Sequence, residues 1–143
     1  SPYGVTKLAA EHLCELYREN FGVPTVSLRF FTVYGPRQRP DMAFKRLVEA
    51  AVSGKSFLLY GDGEQTRDFT YVDDIVHALR LAALSPWYGV ANLGGGSRVS
   101  MNDVIALVSS LAMPVDLVRL PTAKGDVRHT AADTTTARGT GSA

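Results

Sequence analysis

Tyr3 and Lys7 stand four positions apart in SPYGVTKLAAEH. On a helix, residues at that spacing share a face, so both side chains can project into one site. A phenol titrates near pH ~10, and making it a base at neutral pH takes about three units, or roughly 4 kcal/mol. An ammonium ~4 Å away supplies about that much at an effective dielectric of ~20, but only ~1 kcal/mol in open water. The pair therefore requires a covered pocket. Without one it is a surface helix with an incidental aromatic.

Other chemistries fit the sequence less well. Cys14 is the single cysteine, which excludes an internal disulfide and fits a reducing compartment. Leu13 and Leu16 lie beside it, so it reads as a packed thiol rather than a nucleophile. His12, His77 and His129 are far apart and lack paired ligand spacing, so no metal is expected. The net charge of +1 comes from 15 basic and 14 acidic residues scattered along 143 positions. No basic stripe argues for nucleic acid, and no charge block argues for a membrane surface. No apolar run approaches ~18 residues and no signal-peptide pattern opens the chain, so a soluble cytoplasmic protein is expected.

The elements that must position these residues follow from pattern and punctuation. Ser1 and Pro2 make a helix entry, Leu8, Ala9, Leu13, Leu16 and Tyr17 follow at helical spacing, and Asn20, Gly22 and Pro24 end the helix. Thr25 to Gly35, TVSLRFFTVYG, predicts a strand buried on both faces of a parallel sheet. After the loop GPRQRPD, Met42 to Ser53 predicts an amphipathic helix closed by Gly54. SFLLYGDGEQTRDFTYV predicts a short strand, a turn at Gly61-Asp62-Gly63 and a second extended segment. Asp73 and Asp74 are expected to cap a helix reaching about Leu84, with Ile75, Val76, Leu79 and Ala82 inward. GVANLGGG predicts a buried strand, Ser100 and Asp103 a capping box for a helix over Met101 to Leu111, and VDLVRL a last strand. The alternation of helix and buried strand gives an α/β class.

SPYGVTKLAAE, LRFFTVYGPRQRPDM, YGDGEQTRDFTYVDD, NLGGG and KGDVRHTAAD, in that order, resemble the extended short-chain dehydrogenase/reductases acting on nucleotide sugars, the NAD-dependent epimerase/dehydratase family. In motif the resemblance is closest to the UDP-glucuronate 4-epimerases, and it extends to about Asp133. It implies the C-terminal part of a Rossmann-type parallel-sheet domain together with the smaller substrate-binding domain. Residues 1–34 would be the last part of the NAD-binding domain, and 35–133 mainly the sugar-nucleotide domain, with 73–94 returning to the Rossmann sheet. Residues 134–143 would be a disordered tail.

The resemblance also implies roles. Tyr3 exchanges a proton with the sugar hydroxyl while hydride moves between the sugar and NAD, and Lys7 holds the nicotinamide ribose and lowers the phenol pKa. Val33, with Tyr34 beside it, falls near the nicotinamide. Thr32 and Arg39 face the carboxylate of a uronate, a hydroxyl and a cation being what a buried carboxylate needs. Leu59 and Tyr60 fall where the nucleobase pocket is lined, Arg67 clamps the diphosphate, and Asp126 binds the nucleotide ribose. Each has a plainer alternative: Arg67 paired with Asp68 or Asp73, Asp126 a turn residue after Gly125, Arg39 a solvated loop residue, Leu59 and Tyr60 simple core. Where many relatives carry an arginine shortly before the aspartate, this chain has Ala123 beside Lys124.

The implied reaction is C4 epimerization of a UDP-sugar through a 4-keto sugar, by a protein that is a homodimer at full length and binds neither nucleic acid nor membrane. A 4,6-dehydratase, a UDP-glucuronate decarboxylase and an inactive fragment with weak sugar-nucleotide binding remain open. The glycine-rich βαβ turn of the family does not occur here, and LGGGS lacks its register. NAD against NADP is therefore open. The 143 residues are expected to be the C-terminal part of such an enzyme, to fold poorly or associate alone, and to turn over nothing.

Overall fold

The structure, a computed structural model, describes residues 2–122 and 127–139. Pro2, whose ring presets a helical φ, opens α1 (Pro2–Phe21), and Gly22 at φ 66° closes it by donating to the Arg18 carbonyl.

The single strand expected from Thr25 to Gly35 is instead two, β1 (Val26–Phe30) and β2 (Val33–Tyr34). The cause is a change of partner. Phe31 N–H makes the last bond to the strand beside β1, at the Leu93 carbonyl (3.1 Å), and Thr32 O accepts the first bond from another, at Thr70 N–H (3.2 Å). Thus β1 pairs in parallel with β6 (Gly89–Leu93), and β2 in parallel with β5 (Thr70–Tyr71). Nor is β1 buried on both faces: Val26 to Leu28 are half-buried, and Arg29 and Phe30 are exposed. Among the described residues β6 is its only strand neighbour, so the other edge is open.

Two further pairs complete the sheets: β3 (Phe57–Tyr60) runs parallel to β8 (Leu117–Leu120), and β4 (Thr66–Arg67) antiparallel to β7 (Val99–Ser100). Over β3 lies α2 (Ala43–Ser53), ended as predicted by Gly54 in the left-handed region at φ 67°. It packs on α4 (Met101–Leu111), whose start is the predicted capping box. Ser100 Oγ accepts from Asp103 N–H at 3.0 Å, and the Asp103 carboxylate accepts from Ser100 N–H at 3.2 Å. Leu47, Ala50, Phe57, Leu59, Met101, Val104 and Ile105 are sealed between these elements.

The opposite side is less closed. Helix α3 (Val72–Leu84) begins one residue before Asp73, with Tyr71 as its N-cap. Asp73 and Asp74 therefore sit in the first turn, where carboxylates face the positive end of the helix dipole, rather than capping it. Of its expected inner face only Ile75 is buried; Ala82 is half-buried, and Val76 and Leu79 are exposed. Helix α1 buries no residue fully.

The expected disordered tail contains a short helix, α5 (Thr135–Gly139), against β6. It is started by Asp133, whose carboxylate accepts from both the N–H and the hydroxyl of Thr135. No helix among the described residues is long and apolar enough to cross a membrane.

Candidate active site

One turn of α1 brings Tyr3 and Lys7 together: Lys7 Nζ lies 5.4 Å from the centroid of the Tyr3 ring, within cation–π range. Both are exposed, Tyr3 at 72%. Their juxtaposition is supplied by helix geometry alone.

Arg39 lies in the loop after β2, exposed, with its guanidinium forked onto Asp41 at 2.6 and 2.9 Å. That fork raises the Arg39 pKa and holds the Asp41 carboxyl below its ordinary value. Tyr3 adds a smaller contribution of the same sign to Arg39.

Thr32 and Val33 are half-buried at the crossover between the two strand pairs. The loop folds back on Val33: Gln38 Nε2 donates to the Val33 carbonyl at 2.8 Å, and Gln38 N–H to the Gly35 carbonyl at 3.2 Å. Arg37 makes this return by taking φ 66°, the left-handed region that a side chain disfavours. Gln38 Oε1 and Thr70 Oγ1 are both buried with no hydrogen-bond partner among the described residues.

Arg67 is half-buried on β4 and donates from Nη1 to the carbonyls of Thr66 (2.9 Å) and Arg128 (3.3 Å). Its neighbour Asp68 is the residue that sequence reasoning missed. Only 1% exposed, Asp68 accepts through Oδ1 from the N–H groups of Gly95 (2.7 Å) and Gly96 (3.2 Å), and through Oδ2 from Ala132 N–H (3.3 Å). This explains the glycines of NLGGG without any phosphate: a Cβ on Gly94 would lie 2.7 Å from Asp68 Oδ2, and one on Gly95 2.5 Å from the Phe69 carbonyl. The available signal was a lone acid inside the otherwise β-prone run TRDFTYV.

Tyr60 stands partly exposed at the rim of a groove of about 590 Å³ lined also by Gln65, Arg119, Thr122 and Arg128. Leu59, by contrast, is core. Arg119 Nη1 donates to the Asp62 carbonyl and Arg128 Nη2 to its carboxylate, each at 2.9 Å. The Glu64 N–H, and secondarily Arg128, hold Asp62 below the ordinary carboxylate range. Neither Arg119 nor Arg128 was singled out by motif. Asp126, with Ala123 and Lys124, lies outside the described residues.

The structure thus gathers two clusters. Tyr3 and Lys7 form one on α1, with Arg39 on its own loop after Thr32 and Val33; Tyr60 and Arg67 form the other, joined through Arg128 and Asp62. Among the described residues, no three His, Cys, Asp or Glu side chains group as metal ligands.

The sequence profile of the NAD dependent epimerase/dehydratase family matches residues 1–94. The chain belongs to that family. This epimerase/dehydratase chain is 48% identical over 114 residues to the Bacillus subtilis protein named uncharacterized UDP-glucose epimerase YtcB, covering 78% of this chain and 36% of that one. It is 42% identical over 113 residues to a UDP-glucuronate 4-epimerase of Thermodesulfobacterium geofontis, covering 78% and 35%. Its fold superposes on the crystal structure of UDP-glucuronic acid 4-epimerase from Bacillus cereus, in complex with UDP-glucuronic acid and NAD, with a TM-score of 0.91 and 44% identity over 98% of this chain and 46% of that one. The epimerase/dehydratase chain thus spans between about a third and a half of the length of these relatives.

Proposed function

We propose that this chain contributes the proton-exchanging helix and the sugar-nucleotide face of an NAD-dependent UDP-sugar 4-epimerase. The observation that carries the reading is the Lys7 ammonium over the Tyr3 ring. Relatives named as UDP-glucose and UDP-glucuronate epimerases support the substrate class.

The residues fit the cofactor. Lys7, exposed on α1, offers a cation for its ribose hydroxyls. When bound, NAD would supply reversible hydride exchange at the sugar C4, by way of a 4-keto sugar. Tyr3 receives the proton of the C4 hydroxyl through its phenolic oxygen and gives it back after the keto sugar has presented its other face. Lys7 places positive charge over the ring whose oxygen must carry negative charge, an effect that grows as water is excluded. Arg67 takes the diphosphate, Tyr60 flanks the nucleobase and Asp126 takes the ribose.

For a uronate, Thr32 and Arg39 meet the carboxylate, which must compete with Asp41 for the guanidinium. That competition favours a second reading, a neutral UDP-hexose substrate. The division into a cofactor-binding part at 1–34 and a sugar-nucleotide part from 35, with 73–94 returning to the first, belongs to the same proposal and draws support from the β1–β6 pairing. So do a homodimeric full-length protein and a cytoplasmic setting.

The test is to incubate the complete polypeptide carrying these residues with NAD and either UDP-glucuronate or UDP-glucose and to follow the sugar by NMR. The galacto epimer is expected. Loss of water or of carbon dioxide would transfer the protein to the dehydratases or decarboxylases, and no conversion of either sugar would overturn the reading. Arg39→Ala should lower turnover of the uronate more than of the hexose; an equal loss on both removes Arg39 from carboxylate recognition.

A further inference from the structure

Residues 128–130 lie along β4 as a short arm. Thr66 and His129 form an isolated parallel bridge: Thr66 N–H donates to the Arg128 carbonyl at 2.9 Å, and Thr130 N–H to the Thr66 carbonyl at 3.2 Å. A side-chain bond backs the bridge, Thr66 Oγ1 to His129 Nδ1 at 2.9 Å, in which the hydroxyl can give or accept. The same two carbonyls hold Arg67. Its Nη1 carries two hydrogens and donates to the Thr66 carbonyl at 2.9 Å, on β4, and to the Arg128 carbonyl at 3.3 Å, on the arm. A guanidinium is planar and rigid, so two acceptors on one amino group set the plane of all its donors. The Thr66 carbonyl moves with β4 itself, whereas the Arg128 carbonyl stands wherever the arm puts it.

Two backbone bonds at an edge reached by water are a modest tie, and a third bond between them is a large share of the total. We propose that Thr66 and His129 are positioning residues for Arg67: their side-chain bond holds the arm on β4, keeps the Arg128 carbonyl against Nη1, and so presets the plane in which the guanidinium meets the diphosphate. This rests on the assignment of Arg67 to the diphosphate above and extends it to two residues that the family motifs gave no part in binding. The arm is also held by Arg128 on the Asp62 carboxylate at 2.9 Å and by Ala132 N–H on Asp68 at 3.3 Å. Loss of the Thr66–His129 bond therefore loosens Arg67 rather than releasing it.

The experiment is calorimetric binding of UDP and of uridine, which lacks the diphosphate, to the complete polypeptide. Arg67→Ala should weaken UDP at least about tenfold, the worth of a bond to a charged group, and spare uridine. Thr66→Val keeps the branched shape and removes the hydroxyl; it should weaken UDP about fivefold, spare uridine, and be rescued by Thr66→Ser. In the double variant Thr66→Val with Arg67→Ala, the threonine change should cost nothing further, because it acts through the arginine. His129→Ala, at an exposed residue, should match Thr66→Val and serves in its place if that variant misfolds. If Arg67→Ala weakens UDP while Thr66→Val and His129→Ala do not, this proposal is overturned and the diphosphate reading stands. Equal losses on UDP and uridine, or a full further loss in the double variant, also overturn it by making the pair structural alone. An Arg67→Ala protein that binds UDP as the wild type does, or a wild type that binds no UDP, overturns both readings.

Discussion

In the layer formed by α2, β3 and α4, Leu47 and Leu59 keep 0% and 1% of their surface, whereas on α1 Leu8, Leu13 and Leu16 keep 49%, 55% and 50%. Both regions carry leucines at helical spacing, though the pattern of α1 is the weaker, and they differ also in the number of elements that meet it. The first region has sheet and helix neighbours for its inward faces. The second has β1 below and an ion-pair fork from Glu11 to Arg29 at 2.7 and 2.6 Å. The candidate site divides along the same line. Arg67 is carried on a strand rooted by a buried carboxylate, while Tyr3 and Lys7 are carried on a helix that supplies spacing but no enclosure. Stability and the proposed proton chemistry thus fall to different regions of the chain.

The largest separation of the two is expected from Tyr3→Phe. In the complete polypeptide it should lower kcat by roughly 10²–10⁴, the range for loss of a general acid–base group. In urea unfolding of the 143-residue chain the midpoint should not move, since Tyr3 is exposed. Near-normal turnover would remove Tyr3 from the chemistry.

Paired truncations measure the contrast directly. Leu59→Ala should destabilise the chain by about 2–5 kcal/mol, and Leu8→Ala by less than ~1 kcal/mol. Comparable losses in chemical denaturation would mean that α1 is as well anchored as the core.

Asp68→Asn puts an NH₂ among the amides of Gly95, Gly96 and Ala132 and should cost about 2 kcal/mol. Because Arg67 is its neighbour, KM for the UDP-sugar should rise more than kcat falls. A change in stability with KM untouched would make Asp68 a scaffold residue alone.

The smallest effect belongs to Glu11. The hydrogen-bonded Arg29 guanidinium holds its carboxyl below the ordinary value. Its contribution is therefore complete above the unfolded-state pKa and is lost as pH falls through the lower folded value. Glu11→Gln should cost about 0.5 kcal/mol and raise amide exchange in α1 without changing exchange in α4. The variant should also abolish any loosening of α1 in that acid window, and loosening that persists in Glu11→Gln would point to another carboxylate.

What the sequence disclosed was local. The Ser100–Asp103 box, the Gly54 terminator and the four-residue spacing of Tyr3 and Lys7 each depend on neighbours within one turn, so residue type suffices. What it hid was set by distant partners. TVSLRFFTVYG reads as one strand because nothing in it announces that Phe31 ends a ladder with Leu93 and Thr32 begins one with Thr70. Asp68 reads as a surface acid because its partners lie at least 27 positions away. Gln38 is a loop residue by pattern, and only the structure shows its amide bonded back to the Val33 carbonyl.

Every strand pair among the described residues has that long-range character, and the consequence is kinetic. Val26 meets Gly89, Phe57 meets Leu117, Val33 meets Thr70 and Thr66 meets Ser100, so none of the sheets can start from a hairpin. Each requires closure of a long loop before its first hydrogen bond forms, which places refolding toward the slow, millisecond-to-second end for domains of this size. Throughout that interval the open strand edges and the apolar face of α1 are available to neighbouring molecules. Recovery on refolding should therefore fall as protein concentration rises.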